Sequence, residues 1–198
     1  MALTLYGDRK SGNCLKVAWT LEKLDIPYCW IDVDVVRGDT RSPQFLSLNS
    51  AGQVPVIVLD DGRPLAQSNA IMTYLAEGTD LIPADRYDRA RMYEWLYWEQ
   101  YSHEPYIAVA RFQMAYLGRA REDLDPKLFE RGEAALARMQ SALTGREYLV
   151  SEGPTLADIA LVAYTRMAHA GGFDISRYPS VDAWVARVEA ALSIKEPR

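Results

Sequence analysis

Leu3-Thr4-Leu5-Tyr6, followed by Gly7 and Asp8, is the stretch from which the fold can be read. Apolar and polar side chains alternate through it with the two-residue period of a half-buried strand, and the glycine and aspartate end the run. After the loop Asp8 to Gly12, the residues Leu15, Ala18, Leu21 and Leu24, with Val17 beside them, recur at the spacing of one helix face. Asp25-Ile26-Pro27 stops that helix, because a proline drives its predecessor out of the helical region. Tyr28 to Val35, rich in β-branched and aromatic residues, reads as a second strand. Strand, helix and strand in such short compass form a βαβ unit, whose strands run parallel.

Farther along, Arg37 to Gln53 is irregular, with one short helix near Pro43 to Leu48. Val54 to Leu59 reads as a third strand, Asp60-Asp61-Gly62-Arg63 as a turn, and Pro64-Leu65-Ala66 as a short return strand. Ser68 is a good N-cap for a helix from Asn69 to about Glu77, giving the order βαβ, then ββα. Past Ala84 the strand signals nearly cease. Four helices are expected: Asp85 to Leu117, bent near Pro105; Asp125 to Leu143, with Phe129, Gly132, Leu136, Met139 and Leu143 on one stripe; Thr155 to about His169; and Pro179 to Leu192. Two domains follow, 1–78 and 85–198, joined by a linker at 79–84.

Composition narrows the function. The 22 basic and 27 acidic residues give a formal charge of −5, which argues against a nucleic-acid groove or an anionic-membrane surface. No apolar run approaches the roughly 20 residues of a membrane helix, and no secretion signal stands at the N-terminus. Cys14, Cys29, His103 and His169 show no zinc-ligand spacing, so no metal is expected. Two widely separated cysteines suit a reducing, cytoplasmic compartment.

Four short motifs stand in order on this framework: Ser11-Gly12-Asn13-Cys14-Leu15-Lys16-Val17, Gly52-Gln53-Val54-Pro55-Val56, Gln67-Ser68-Asn69-Ala70-Ile71 and Gly153-Pro154-Thr155-Leu156-Ala157-Asp158-Ile159-Ala160. Together with the domain order, they make nearly the whole chain resemble the cytosolic glutathione transferase superfamily. The resemblance implies an α/β thioredoxin-like N-terminal domain that holds glutathione and an all-α C-terminal helical domain facing a second substrate. It also implies detoxifying conjugation of the glutathione thiolate to small hydrophobic electrophiles by a homodimer.

The residues fit that chemistry on physical grounds. A thiol of pKa about 8.5 reacts as its thiolate, which hydrogen-bond donors and a helix N-terminus favour. Ser11 and Asn13 stand where both act, and the resemblance makes them the activating residues, although Ser-Gly turn chemistry and helix capping explain the same letters. By resemblance, Gln53, Val54 and Pro55 clamp the glutathione backbone, with a cis Val54–Pro55 bond. Gln67 and Ser68 receive its γ-glutamyl end, where many relatives carry Glu in place of Gln67. A helix N-terminus suits that carboxylate independently of any family. Tyr101, His103, Tyr106 and Arg111, on the long aromatic helix, are the candidates for the electrophile, with His103 either a proton donor or a partly solvated helix residue. Tyr6 reads as scaffold.

Thr155 and Asp158 form a capping box, whose loss should cost ~1 kcal/mol or more. Two other functions stay open: a glutathione-dependent disulfide reductase or peroxidase, the former using Cys14, and a non-catalytic interaction module. Against the first, Cys14 also reads as a buried filler.

Overall fold

In the computed structural model, residues 3–195 are described; Met1, Ala2 and residues 196–198, which the sequence reading assigned to the two domains, lie outside the described residues. The chain divides into two compact units at Thr79/Asp80.

The first unit is built on a four-stranded sheet of order β2-β1-β3-β4. Strand β1 (Leu3–Gly7) lies between β2 (Tyr28–Asp32), which runs parallel to it, and β3 (Val56–Val58), which runs antiparallel. Strand β4 (Pro64–Ala66) completes the hairpin with β3. The inner strands carry the apolar payload: Leu5, Val56 and Ile57 are fully buried, whereas edge strand β2 exposes Cys29, Ile31 and Asp32. Helix α1 (Gly12–Lys23) buries Cys14, Val17, Ala18 and Leu21 and packs with α3 (Ser68–Leu75), which buries Ile71 and Met72. The short α2 (Pro43–Leu48) is capped by Ser42, whose hydroxyl accepts from Phe45 N–H, and its Phe45 joins a cluster with Val33 and Val56.

Three expected boundaries move for local reasons. Strand β2 ends at Asp32, short of Val35, because the Asp34 carboxylate accepts from the N–H groups of Val36 and Arg37 and folds the chain into a turn. Strand β3 begins at Val56, two residues late, after a proline with no N–H to give to a ladder. Helix α3 begins at Ser68 itself and ends at Leu75. Gln67 is the N-cap residue, at φ 73°, and its carbonyl accepts from Ile71 N–H at 2.9 Å.

The second unit is helical. The expected long helix is four segments: α4 (Arg86–Trp98), a π turn (Glu99–His103), α5 (Glu104–Arg111) and a second π turn (Phe112–Tyr116). The wider first turn, in which Glu104 N–H reaches back to Glu99 C=O, adjoins Pro105, whose ring clashes with the preceding turn of a regular helix. Helix α6 (Pro126–Leu143) starts after the Asp125 cap; a Cβ at its Gly132 would come within 2.4 Å of the Phe173 ring. Helix α7 (Leu156–Thr165) is buried along its entire length, and α8 (Pro179–Ala191), which packs on α6 and α7, buries Val181, Trp184, Val185 and Val188. Helix α7 stops four residues before His169, and the chain passes into a 3-10 turn at Ala168–Gly171, where a Cβ on Gly171 would stand 2.9 Å from Arg111 N. Among the described residues no helix is long and apolar enough to cross a membrane.

The capping box does more than close α7. Asp158 is fully buried, and its two oxygens accept from four donors: Thr155 N at 2.9 Å, Thr155 Oγ1 at 3.0 Å, Leu149 N at 3.0 Å and Trp184 Nε1 at 2.9 Å. It ties the 148–150 loop, the start of α7 and the middle of α8 to one carboxylate. Asp158→Ala leaves buried donors unmet, so the expected loss is about 3 kcal/mol or more, above an ordinary cap. A thermal melt should fall by roughly 6 to 12 °C; an unchanged midpoint contradicts this role.

Candidate functional site

Strand β1 delivers the chain to a loop closed by Ser11 N–H on Asp8 C=O at 3.0 Å and by Lys10 N–H on the Asp8 carboxylate at 2.8 Å. Ser11 is then the N-cap residue of α1, and its carbonyl accepts from Cys14 and Leu15 N–H groups, both at 3.0 Å. Its hydroxyl makes no cap bond to the helix and instead meets the Cys14 sulfur. The turn chemistry that the sequence offers for Ser11 is present in the loop, and the helix cap that it offers for Asn13 is not made, since Ser11 is the N-cap residue.

Cys14 is fully buried, with its sulfur against Gly7, where an added Cβ would come within 3.1 Å. Burial pushes its thiol up to about 12, against smaller lowering effects from the Ser11 hydroxyl, the Asp8 backbone and Lys16. A thiol so placed stays protonated near neutral pH and is a poor nucleophile.

Asn13 faces the start of α3. Its Oδ1 accepts from Ser68 Oγ at 3.1 Å and from Lys16 Nζ at 2.8 Å. Two residues 55 positions apart in sequence, chosen for opposite ends of one ligand, are thus in direct contact. Ser68 was expected to cap its helix from outside; it lies in the first turn, 5% exposed, with its hydroxyl turned across to Asn13. Gln67 is exposed, and its positive φ is uncommon for a residue with a side chain; such strain collects at functional positions.

The Val54–Pro55 bond is cis. Val54 lies outside the ladders that begin at Val56, and exposed Gln53 precedes it. Asn49, which the sequence reading did not single out, organises this segment: Nδ2 donates to Gln53 O at 2.7 Å, Oδ1 accepts from Ala51 N at 3.1 Å, and its carbonyl accepts from Gly52 N at 2.9 Å. Gly52 needs to be glycine twice over, for its φ of 62° and because an added Cβ would run into the Arg41 guanidinium. Arg41 is the second missed residue; it donates to Ala51 O at 3.4 Å and puts a cation beside the Gly52-Gln53 segment. Tyr6 packs on the Val33–Phe45–Val56 cluster, as scaffold.

In the helical unit, Tyr101 is 83% exposed on the first π turn, and Tyr106 and Arg111 are half-buried on α5, with the Arg111 guanidinium 5.4 Å from the Tyr116 ring. His103 differs from the expectation of a solvated helix histidine. It is fully buried beside Trp98, and its Nε2 lies 2.9 Å from Thr165 Oγ1. Thr165 gives its own proton to Leu161 C=O at 2.7 Å, so Nε2 carries the hydrogen and donates. The π turn rotates His103 inward, where it links α7 to the helix carrying Tyr101. The same turn buries Glu99, whose carboxylate accepts from Gln100 Nε2 at 2.8 Å.

Comparison with known proteins places the two units in a family. Residues 1–77 match the model of the glutathione S-transferase N-terminal domain, and residues 99–191 that of the C-terminal domain. A solved structure of a glutathione S-transferase from Pseudomonas fluorescens Pf-5 is 46% identical, with 96% of each chain covered and a TM-score of 0.93. Glutathione S-transferase 3 of Zea mays is 30% identical over 200 residues, 95% of this chain and 89% of that protein. The Disulfide-bond oxidoreductase YfcG of Escherichia coli (strain K12) is 29% identical over 189 residues, 90% of this chain and 86% of that protein. Both family domains, in order, span most of the residues on which the thioredoxin-like sheet and the helical unit are built, and the chain belongs to the glutathione S-transferase family.

Proposed function

We propose that this protein is a glutathione transferase that binds glutathione on its first unit, ionises the thiol at the first turn of α1, and transfers the sulfur to a small hydrophobic electrophile. The observation that carries the reading is the Asn13–Ser68 contact, since it brings together the two helix N-termini suited to the two anionic parts of one ligand. The Ser11 hydroxyl and the Asn13 amide donate to the thiolate. Ser68 and the N–H groups of α3 receive the γ-glutamyl carboxylate, with Gln67 beside its α-amino group. The Val54 main chain pairs with the cysteinyl main chain, Gln53 adds a side-chain bond, and Arg41 meets the glycyl carboxylate. Tyr101, Tyr106 and Arg111 are assigned to the electrophile, with His103 supporting them from the interior. Cys14 and Cys29 are both free, as suits a reducing cytoplasm.

A reductase in which Cys14 attacks a disulfide is disfavoured by the burial and high pKa of that thiol. Reduction carried by glutathione's own thiolate would use the same site as conjugation, and the similarity to a disulfide-bond oxidoreductase keeps it as the second reading.

Conjugation of glutathione to chlorodinitrobenzene separates the two thiols. Ser11→Ala should lower kcat/KM about ten- to hundred-fold, the worth of a hydrogen bond to a charged group. Cys14→Ala should leave it largely unchanged. The reverse pattern would overturn the assignment and favour the cysteine mechanism.

The assembly is proposed to be a homodimer built through α3 and α4, as in the family. Tyr74 on α3 and Tyr87 and Tyr97 on α4 are 52%, 72% and 73% exposed, an unusual outlay of aromatic surface for a chain working alone. Light scattering at micromolar concentration should return twice the 22.3 kDa chain mass; a monomer contradicts the proposal.

A further inference from the structure

Lys16 has no role in the chemistry above, yet it is fully buried, in the second turn of α1. Three physical costs oppose it there. Burial strips water from a basic group, the N-terminal end of a helix repels a cation, and an apolar side chain of the same length would pack without either cost. Its Nζ donates to Asn13 Oδ1 at 2.8 Å, the oxygen that also accepts from Ser68 Oγ at 3.1 Å. Two donors on one carbonyl oxygen settle which end of the amide is which, so the NH2 end is what Asn13 offers a ligand. A basic donor on that oxygen also polarises the amide and strengthens the N–H bonds it makes.

We propose that Lys16 is a positioning residue for thiol activation, holding the Asn13 amide by its oxygen so that its NH2 stabilises the glutathione thiolate. This rests on the glutathione site proposed above and adds the group that keeps Asn13 in place. Ser68 cannot do so throughout the cycle. Once a γ-glutamyl carboxylate engages the Ser68 hydroxyl, that proton is drawn to the ligand and Lys16 remains as the donor on Asn13 Oδ1. The electrostatic influence of Lys16 already reaches the first turn of α1. Cys14 is raised chiefly by burial, and Lys16 is one of the groups that lower it, while the charge of Asp8 raises it. Asp8, at the mouth of the loop, and the Cys14 thiol are ionisable groups close to this turn; Ser68 and Asn69, from α3, carry no charge.

The test is an ultraviolet titration of glutathione bound to the full-length protein, reading thiolate absorbance against pH. Lys16→Met keeps the length and removes the donor. It should raise the pKa of the bound thiol by about one unit, a tenfold loss of thiolate at a given acidic pH. Binding of S-methylglutathione, which has no thiol to ionise, should be unchanged, and Lys16→Arg should restore the wild-type titration. In an Asn13→Ala background the Lys16→Met change should shift nothing further, because its effect passes through Asn13. If Lys16→Met loses its thermal transition, Lys16→Gln carries the test, with a shift in the same direction expected. An unmoved titration, an equal shift without Asn13, or weakened S-methylglutathione binding overturns the proposal. Wild-type protein that shows no bound thiolate at all instead overturns the underlying glutathione site.

Discussion

Two helix N-termini meet where Ser68 Oγ donates to Asn13 Oδ1 at 3.1 Å, and the geometry of the first unit serves that meeting. Neither helix would bring its positive end there alone, because like ends of helix dipoles repel. The sheet enforces it. Strand β1, paired on both sides, delivers α1 from its C-terminal end. The antiparallel β3–β4 hairpin returns the chain to the neighbouring position, and Gln67, at positive φ, turns β4 abruptly into α3. Two helix N-termini separated by one hydrogen bond are what the proposed site offers a ligand with two anionic groups a few bonds apart. Glutathione, with a thiolate in its middle and a carboxylate at its γ-glutamyl end, has that shape.

The helical unit solves a different problem, that of keeping polar anchors satisfied inside an apolar core. Helix α7 is buried throughout, and Asp158, Thr165 and the C-cap residue Arg166 each have a partner from another segment. Asp158 holds Leu149 and Trp184, Thr165 receives His103, and Arg166, 2% exposed, pairs with Glu189 at 2.8 Å. These contacts fix the rotation of α8 and of the first π turn about α7. Apolar packing alone sets such rotations loosely, since many apolar side chains of similar size would fit. Tyr101, exposed, shares that π turn with buried His103, which anchors the turn to α7.

Much of this was legible in the residues, and the parts that were not share a cause. The alternation in Leu3 to Tyr6, the helical stripe from Leu15 to Leu24 and the hairpin at Asp60 to Arg63 are local patterns, and each became the element it announced. Capping chemistry is also local, so Thr155 and Asp158 were readable as a box, whereas the bonds from Asp158 to Leu149 and Trp184 join separate segments and were not. Ser68 misled because a serine before a helical run is a sound cap signal, and only the backbone reveals that Gln67 takes the positive φ. The π turns escaped because a pattern with a period of 3.6 residues absorbs one extra residue without visible fault, and with them went the inward rotation of His103. Asn49, Arg41 and Lys16 act through partners that the sequence does not mark. Lys16 did leave a trace, as the one charged residue between Leu15 and Leu21.

The proposed function depends on a single event, the docking of a thiol tripeptide across the α1 and α3 N-termini. Isothermal titration of the purified protein with reduced glutathione measures that event without assuming any electrophile. One saturable site per chain, weakened when Ser68 is replaced by alanine, is the predicted result. An absence of heat and of saturation would contradict the account at its base.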